Sequence, residues 1–412
     1  MSLRALLAAV EESSPIDAVD VVAAELRQHV DANHVALLIA NFSGSGLVRL
    51  SHVIGAGDRT AGRNERAEQV PLPGTAHERA LWSQTIEVTR SAEGWVVLVP
   101  ITERGDAIGL LEVALGEEPS AGLLDYLTSA AHAFAYVLVA ARRHTDLFEW
   151  AQRDVPFSVA AEIQRRLLPS AYTAEVGSLT LAGWLEPSHD AGGDTFDYSL
   201  DREYLYASLT DAMGHSTVAA LLATLTVASL RNQRRALAGP ALQATTADAA
   251  LKANALSDQF VTGLVLRIRL SDGQAEIVNA GHPSPYLLRG GEATQLELTT
   301  YPPLGVAVDE YAADLVRLEP GDRLLLVTDG YLERRAARVD IEGILTGSSE
   351  RHPRQVVQEL ASNVLQATGG RLRDDATTLC IDWYGSHGRR DATGGASAAR
   401  ATATASSGRT YP

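Results

Sequence analysis

Asp211-Ala212-Met213-Gly214-His215 closes a strand-like run and opens a turn, and three other short acidic motifs stand the same way: Gly192-Gly193-Asp194, Thr328-Asp329-Gly330 and Asp374-Asp375-Ala376-Thr377. An aspartate at each strand end lets a folded β-sandwich gather short, stiff carboxylates at one edge. Carboxylates crowded in this way repel one another, which raises some of their pKa values unless a divalent cation sits among them. Oxygen-only ligands favour Mg²⁺ or Mn²⁺ over zinc. Two such ions about 3.5 to 4 Å apart can clamp a phosphate, lower the pKa of a bridging water and aim it at phosphorus without a covalent intermediate. Together the four motifs read as a two-metal phosphatase site. Singly each has a plain alternative, because Asp329-Gly330 is also a turn signal and Gly193-Asp194 a loop start.

Around the motifs, residues 179 to 384 read as strands, then helices over about 216–235 and 241–255, then strands, helices near Ile341 and Val356, and a last strand. Segregated strands and helices argue for α+β layers. Upstream, apolar residues recur at helical spacing from Ile16 to Val30 after Ser13-Ser14-Pro15. His34–Ala40 and Leu47–Ile54 flank one turn, and Trp95–Ile101 and Ala107–Leu115 flank another, so both pairs predict antiparallel hairpins. A helix over about 122–145 closes this part. Between the two parts, Leu147, Trp150, Phe157, Ala160, Ile163 and Leu167 fall near a helical stripe broken by Pro156, which is expected in the first turn of a new helix ending at Leu167-Leu168-Pro169. The stripe is read either as packing against a sheet or as a dimer contact. The order of domains is therefore 1–145, a helical linker 146–170, 171–385, and a tail 386–412 whose Ala, Ser, Thr, Gly and Arg lack apolar periodicity and predict disorder.

The chain has 412 residues, long enough for two or three domains. Its net charge of -16 disfavours nucleic acid and anionic membranes as main partners, since both reward clustered Lys and Arg. A single cysteine, Cys380, excludes an intrachain disulfide and a Cys-rich zinc site; it lies in an apolar run and is read as core. The apolar stretch Ala130–Ala141 falls short of the ~20 residues a spanning helix needs, and the start of the chain has no secretory pattern. These features predict a cytoplasmic protein.

Residues 157–384 resemble the PPM-type (protein phosphatase 2C-like) serine/threonine phosphatases of the branch that includes stage II sporulation protein E and the sigma-B regulators. The resemblance rests on the acidic motifs together with Leu167-Leu168-Pro169, Asn279-Ala280-Gly281-His282-Pro283, Pro303-Leu304-Gly305 and Leu318-Glu319-Pro320-Gly321-Asp322. The first part is similar in pattern to a GAF sensory domain, most clearly at Val97-Leu98-Val99-Pro100 and at Arg104-Gly105 followed by Ile108–Val113. These likenesses imply an α+β protein, with an α/β sensor domain before an αββα phosphatase sandwich that binds two Mn²⁺ or Mg²⁺ ions. By position, Asp211 resembles the carboxylate bridging both metals and the carbonyl of Ala212 a further ligand, while Asp194, Asp329 and Asp374 resemble the other acidic contacts. Asp211 and Asp329 are the residues expected to carry catalysis. Whether Asp375 or His215 also contributes stays open. In animal-type relatives the catalytic histidine follows the bridging aspartate by two places, where this chain has Met213, so His215 is read as structural and Ser216 as a helix cap. His282 is read as holding its turn, and Asp197 as either second to the ligands or a solvated loop acid.

The implied substrate is a phosphoserine or phosphothreonine on a STAS-type anti-sigma factor antagonist, with the sensor domain in control and a homodimer through its helices and the linker. Two rivals stand beside this: a catalytically silent sensor or scaffold for a partner-switching protein, and a hydrolase of small phosphoesters.

Overall fold

The computed structural model describes residues 3–41, 46–54, 68–152, 157–188, 192–214, 217–254, 259–306, 310–332, 336–370 and 372–386. They form two compact units divided between residues 156 and 157.

The first unit runs α1 (Leu3–Glu11), α2 (Ala18–Val30), β1 (His34–Ala40), β2 (Gly46–Ile54), β3 (Glu68–Pro71), α3 (Ala76–Ser83), β4 (Glu87–Ser91), β5 (Gly94–Glu103), β6 (Asp106–Leu115), α4 (Ala121–Ala141) and α5 (Leu147–Gln152). Its strands make one antiparallel sheet in the order β3-β2-β1-β6-β5-β4. The expected hairpins are β1–β2 and β5–β6. Alternation along a strand sends side chains to opposite faces, and both faces here are covered. Val35, Leu37 and Ile39 of β1 join Leu26, Val99, Phe134 and Leu138 in one core, while Leu38 joins Leu47, Leu81, Leu98 and Leu110 in another. This double burial explains the continuous apolar runs. The helix expected over 122–145 ends at Ala141. Alone among the described helices, α4 is long and apolar enough to cross a membrane by length and composition. Eight of its side chains, from Leu127 to Ala141, are buried.

Beside the second core sits a buried carboxylate, Glu112 on β6. Its oxygens meet His77 Nε2 at 2.9 Å and Arg49 Nη1 at 2.7 Å. Burial opposes its charge, yet the His77 hydrogen bond and the Arg49 guanidinium prevail and hold its pKa at about 2. A carboxyl depressed on folding stabilises above its unfolded pKa near 4.5 and loses that contribution as pH falls toward 2. Glu112→Gln should therefore cost the first unit up to about 3 kcal/mol at pH 7, with the penalty shrinking between pH 4.5 and 2. Urea unfolding across that range checks this, and a penalty independent of pH would contradict it.

The second unit begins with α6 (Val159–Leu167), whose N-cap Ser158 accepts a hydrogen bond from Ala161 N at 3.1 Å. Then follow β7 (Thr173–Glu175), β8 (Leu179–Glu186), β9 (Thr195–Leu200), β10 (Tyr204–Ala212), α7 (Thr217–Arg235), α8 (Pro240–Asn254), β11 (Val261–Arg269), β12 (Gln274–Ala280), β13 (Tyr286–Arg289), β14 (Glu292–Gln295), β15 (Thr300–Tyr301), β16 (Asp314–Arg317), β17 (Arg323–Val327), α9 (Ile341–Thr346), α10 (Pro353–Thr368) and β18 (Ala376–Trp383). One sheet has the order β15-β12-β11-β10-β9, with β16 beside β12; the other runs β14-β13-β17-β18-β8-β7. Leu205, Leu209, Leu264 and Leu266 from the first interleave with Leu181, Leu324, Leu326, Leu379 and Ile381 from the second. The opposite face of the first sheet packs on α7 and α8 through Ala212, Val265, Leu222, Val227 and Leu251. That of the second packs on α9 and α10 through Leu325, Cys380, Leu345, Val356 and Leu360. Two sheets thus lie between two helical layers, and Cys380 is core.

The helical stretch 146–170 is divided between the two units. α5 belongs to the first unit, where Gln152 Nε2 donates to Ala40 O at 2.8 Å, and α6 belongs to the second. Pro156, with its expected first-turn role, and the tail over 387–412 lie outside the described residues.

Candidate metal centre

The four motifs come together at one end of the sandwich, and backbone contacts lock them pairwise. The first meets the second where Ala212 N donates to Gly193 O at 3.3 Å. A side chain at Gly193 would put its Cβ 2.4 Å from Ala212 O, so only glycine allows this approach. Thr328 N donates to Thr377 O at 3.0 Å, joining the third and fourth motifs. There a Cβ on Gly330 would lie 1.9 Å from Asp375 O. The glycines beside the acids are thus close-approach positions.

Asp194, 1% exposed, ties both pairs together. Its Oδ2 accepts from Thr328 Oγ1 at 2.8 Å and from Thr377 Oγ1 at 2.6 Å. Burial, followed by the charges of Asp211 and Asp375, pushes its pKa well up despite those donors. Asp211, one residue before the end of strand β10, is raised to about 7 by burial, then by Asp329, Asp374 and Asp375, while a hydrogen bond with Asp194 works the other way. Five carboxyl groups therefore act on one another here.

The two members of Asp374-Asp375 behave differently. Asp375 is 1% exposed and points inward, accepting from Ser188 N at 2.7 Å, Gly192 N at 3.1 Å and Gln164 Nε2 at 2.5 Å. It thus holds both Ser188 and Gly192, the latter two residues before Asp194. Asp374 is half-buried, and its Oδ1 accepts from Asp375 N at 2.9 Å. Gln164 of α6 also donates to Asp194 O at 2.9 Å. This glutamine, with Thr328 and Thr377, was missed as a site residue. The signal for Gln164 was a polar side chain on the buried stripe of Ala160 and Leu167.

Among the described residues, no three carboxylate, imidazole or thiol groups are gathered at metal-ligating distance. The structure brings Asp194, Asp211, Asp329 and Asp374 within electrostatic reach of one another, and repulsion between bare carboxylates is a physical reason for them to stand apart. The donor set, carboxylates plus the adjoining Ala212 carbonyl, fits a hard divalent cation. Such an ion would relieve the crowding that raises Asp194 and Asp211.

His215 and Ser216 lie outside the described residues. His282 is buried in its turn: Asn279 Nδ2 donates to His282 O at 2.9 Å, His282 N donates to Asn279 Oδ1 at 2.8 Å, and the ring Nδ1 meets Thr262 Oγ1 at 2.9 Å. Burial lowers its pKa to about 3, so the imidazole is neutral. Thr262 is the strand partner of Asp211, so His282 touches the residue paired with Asp211 across the sheet. Asp197 is no loop acid; it lies on β9, 4% exposed, paired with Arg231 and Arg234.

Residues 201–384 match the model of the family described as stage II sporulation protein E (SpoIIE). Over this span the second unit is similar to the SpoIIE family. The matched span holds the last three acidic motifs and starts after Asp194. The chain is 24% identical over 235 residues to phosphoserine phosphatase RsbP of Bacillus subtilis, covering 54% of this chain and 57% of that protein. The chain spans little more than half of that relative's length. Among solved structures, the RsbU and RsbW domains of a Mycobacterium tuberculosis protein are similar at 23% identity and a TM-score of 0.47, covering 52% of this chain and 62% of theirs. The PP2C domain with a regulatory fragment of SpoIIE from Bacillus subtilis is similar at 17% identity and a TM-score of 0.45, covering 50% and 65%.

Thr377→Val tests the interlock. It removes a donor from a buried carboxyl, which should cost about 1 to 3 kcal/mol in urea unfolding of the second unit. A change below about 0.5 kcal/mol, the range of an ordinary surface substitution, would show that Asp194 does not depend on it.

Proposed function

We propose that this chain is a metal-dependent phosphoprotein phosphatase that hydrolyses phosphoserine or phosphothreonine on a STAS-type anti-sigma factor antagonist in the cytoplasm, under the control of its GAF-like first unit. What carries the reading is the interlock of four acidic motif loops around Asp194 and Asp211, whose carboxyls burial and neighbouring charge push up. The SpoIIE-family match and the name of the Bacillus relative supply the substrate class.

In this reading Asp211, as the central ligand, would hold two Mn²⁺ or Mg²⁺ ions together with the Ala212 carbonyl, Asp194, Asp329 and Asp374. When bound, the ions supply a water of lowered pKa and charge for the phosphoryl oxygens. The protein's own part is to place the carboxylates. Thr328 and Thr377 fix the rotamer of Asp194, the Gly193 contact fixes the Ala212 carbonyl, and Asp375 holds Ser188 and Gly192 rather than serving as a ligand. Orientation of this kind by outer partners is worth about 10- to 100-fold in metal affinity or activity. His282, neutral and buried, takes no proton from a substrate. α6 is the element through which the first unit acts, since Gln164 touches both the first and the fourth motif.

The test is phosphate release from phosphorylated STAS-type proteins of the same genome with Mn²⁺ present, comparing the full chain with Asp211→Ala. Release should fall by more than about a hundredfold, beyond the loss of an outer partner. Equal behaviour with every substrate, an aryl phosphate included, would overturn the reading.

A further inference from the structure

A second polar assembly, outside the four motifs, joins α6 and α7 to the strand that starts beside Asp194. At its centre is the carboxylate of Asp197 on β9, three residues beyond Asp194. Arg231 of α7 grips it with two parallel bonds, Nε to Oδ2 at 3.0 Å and Nη2 to Oδ1 at 3.0 Å. The same Nη2 donates to Leu167 O at 2.6 Å, and Arg234 Nη1 donates to Asp197 Oδ2 at 2.9 Å.

Leu167 is the last residue of α6. Its carbonyl belongs to the group a helix leaves without an internal partner, at the negative end of the helix dipole, where a guanidinium is favoured. A planar fork is needed to hold a carboxylate at two points and a carbonyl at a third; an ammonium can supply the charge but not that geometry. One arginine thus fixes three elements to each other.

The position of α7 makes this more than packing. Its first residue, Thr217, comes three positions after Gly214 in the chain, and Arg231 stands about 20 Å further along the same helix at 1.5 Å per residue. A stiff helix pinned near one end has its other end placed. α6 is bound at two points one turn apart: Gln164 holds Asp194 O and the Asp375 carboxylate, and Leu167 meets Arg231.

We propose that Arg231 is a positioning residue for the metal centre: held by Asp197, it sets α7 against the end of α6 and so places the segment that carries Asp211. The proposal rests on the metal-centre reading above. It assigns to Asp197 the role of anchor for Arg231 rather than of a metal contact.

The test uses the full chain with Arg231→Lys and, as a control at the outer partner, Arg234→Lys. Mn²⁺ affinity is measured by calorimetry, hydrogen exchange is followed over residues 217–235, and the melting temperature is recorded. The expected result for Arg231→Lys is Mn²⁺ affinity at least tenfold weaker and faster exchange over 217–224, with the melting temperature within a few degrees of wild type and a smaller effect at Arg234. Mn²⁺ affinity and exchange over 217–224 equal to wild type would overturn the proposal, whatever happens to the melting temperature. If Arg231→Lys does not fold, Asp197→Asn, which keeps shape and loses charge, decides by the same two readouts. Wild type that binds no Mn²⁺ would instead sink the metal-centre reading, and exchange over 217–224 would still decide whether Arg231 places α7.

Discussion

The arrangement of the second unit follows from one cost: several carboxyl groups are buried against each other at the end of a two-sheet sandwich. Burial alone raises the pKa of Asp194 and Asp211, and the neighbouring acids raise it further. A folded chain keeps such a cluster only if something else holds the loops in place. Here that is a lattice of short contacts: two threonine hydroxyls on Asp194, two backbone N–H groups and an amide on Asp375, and glycines that let carbonyls approach where no Cβ fits. The energy of this lattice is spent on geometry, and Asp194 and Asp211 are the two acids of the cluster that burial and neighbouring charge push up.

The same lattice separates acids that look alike. Asp374 and Asp375 are neighbours in one motif, yet Asp375 is consumed by Ser188, Gly192 and Gln164 while Asp374 stays half-buried. Asp197 follows Asp194 by three residues and is engaged by two arginines. Asp375 and Asp197 each join parts of the scaffold that lie far apart in sequence.

Much of this was legible from the chain. The hairpins of the first unit, the helices after Asp211, the last strand and the meeting of the four motifs all follow from strand and helix periodicity and from Gly-Asp turns. The parts that escaped depend on contacts between residues far apart in sequence. Gln164 meets Asp375 across 211 positions and Thr377 meets Asp194 across 183, and no local pattern carries such pairings. The short strands β3, β4 and β7 were not read because each lies at or next to a sheet edge and has few apolar residues to mark it. The stripe between the two parts is divided for a related reason: Leu147 and Trp150 lie on α5 of the first unit and Ala160, Ile163 and Leu167 on α6 of the second, where Ile163 and Leu167 pack into its core.

The account stands or falls on whether the carboxylate cluster takes divalent cations through Asp211. Calorimetric titration of the full chain with Mn²⁺, beside Asp211→Asn, reads this directly. The account predicts two ions per chain in the wild type and loss of that binding in the variant, which keeps the side chain's shape and removes its charge. Binding of the same stoichiometry and affinity in both, or none in the wild type, would contradict it.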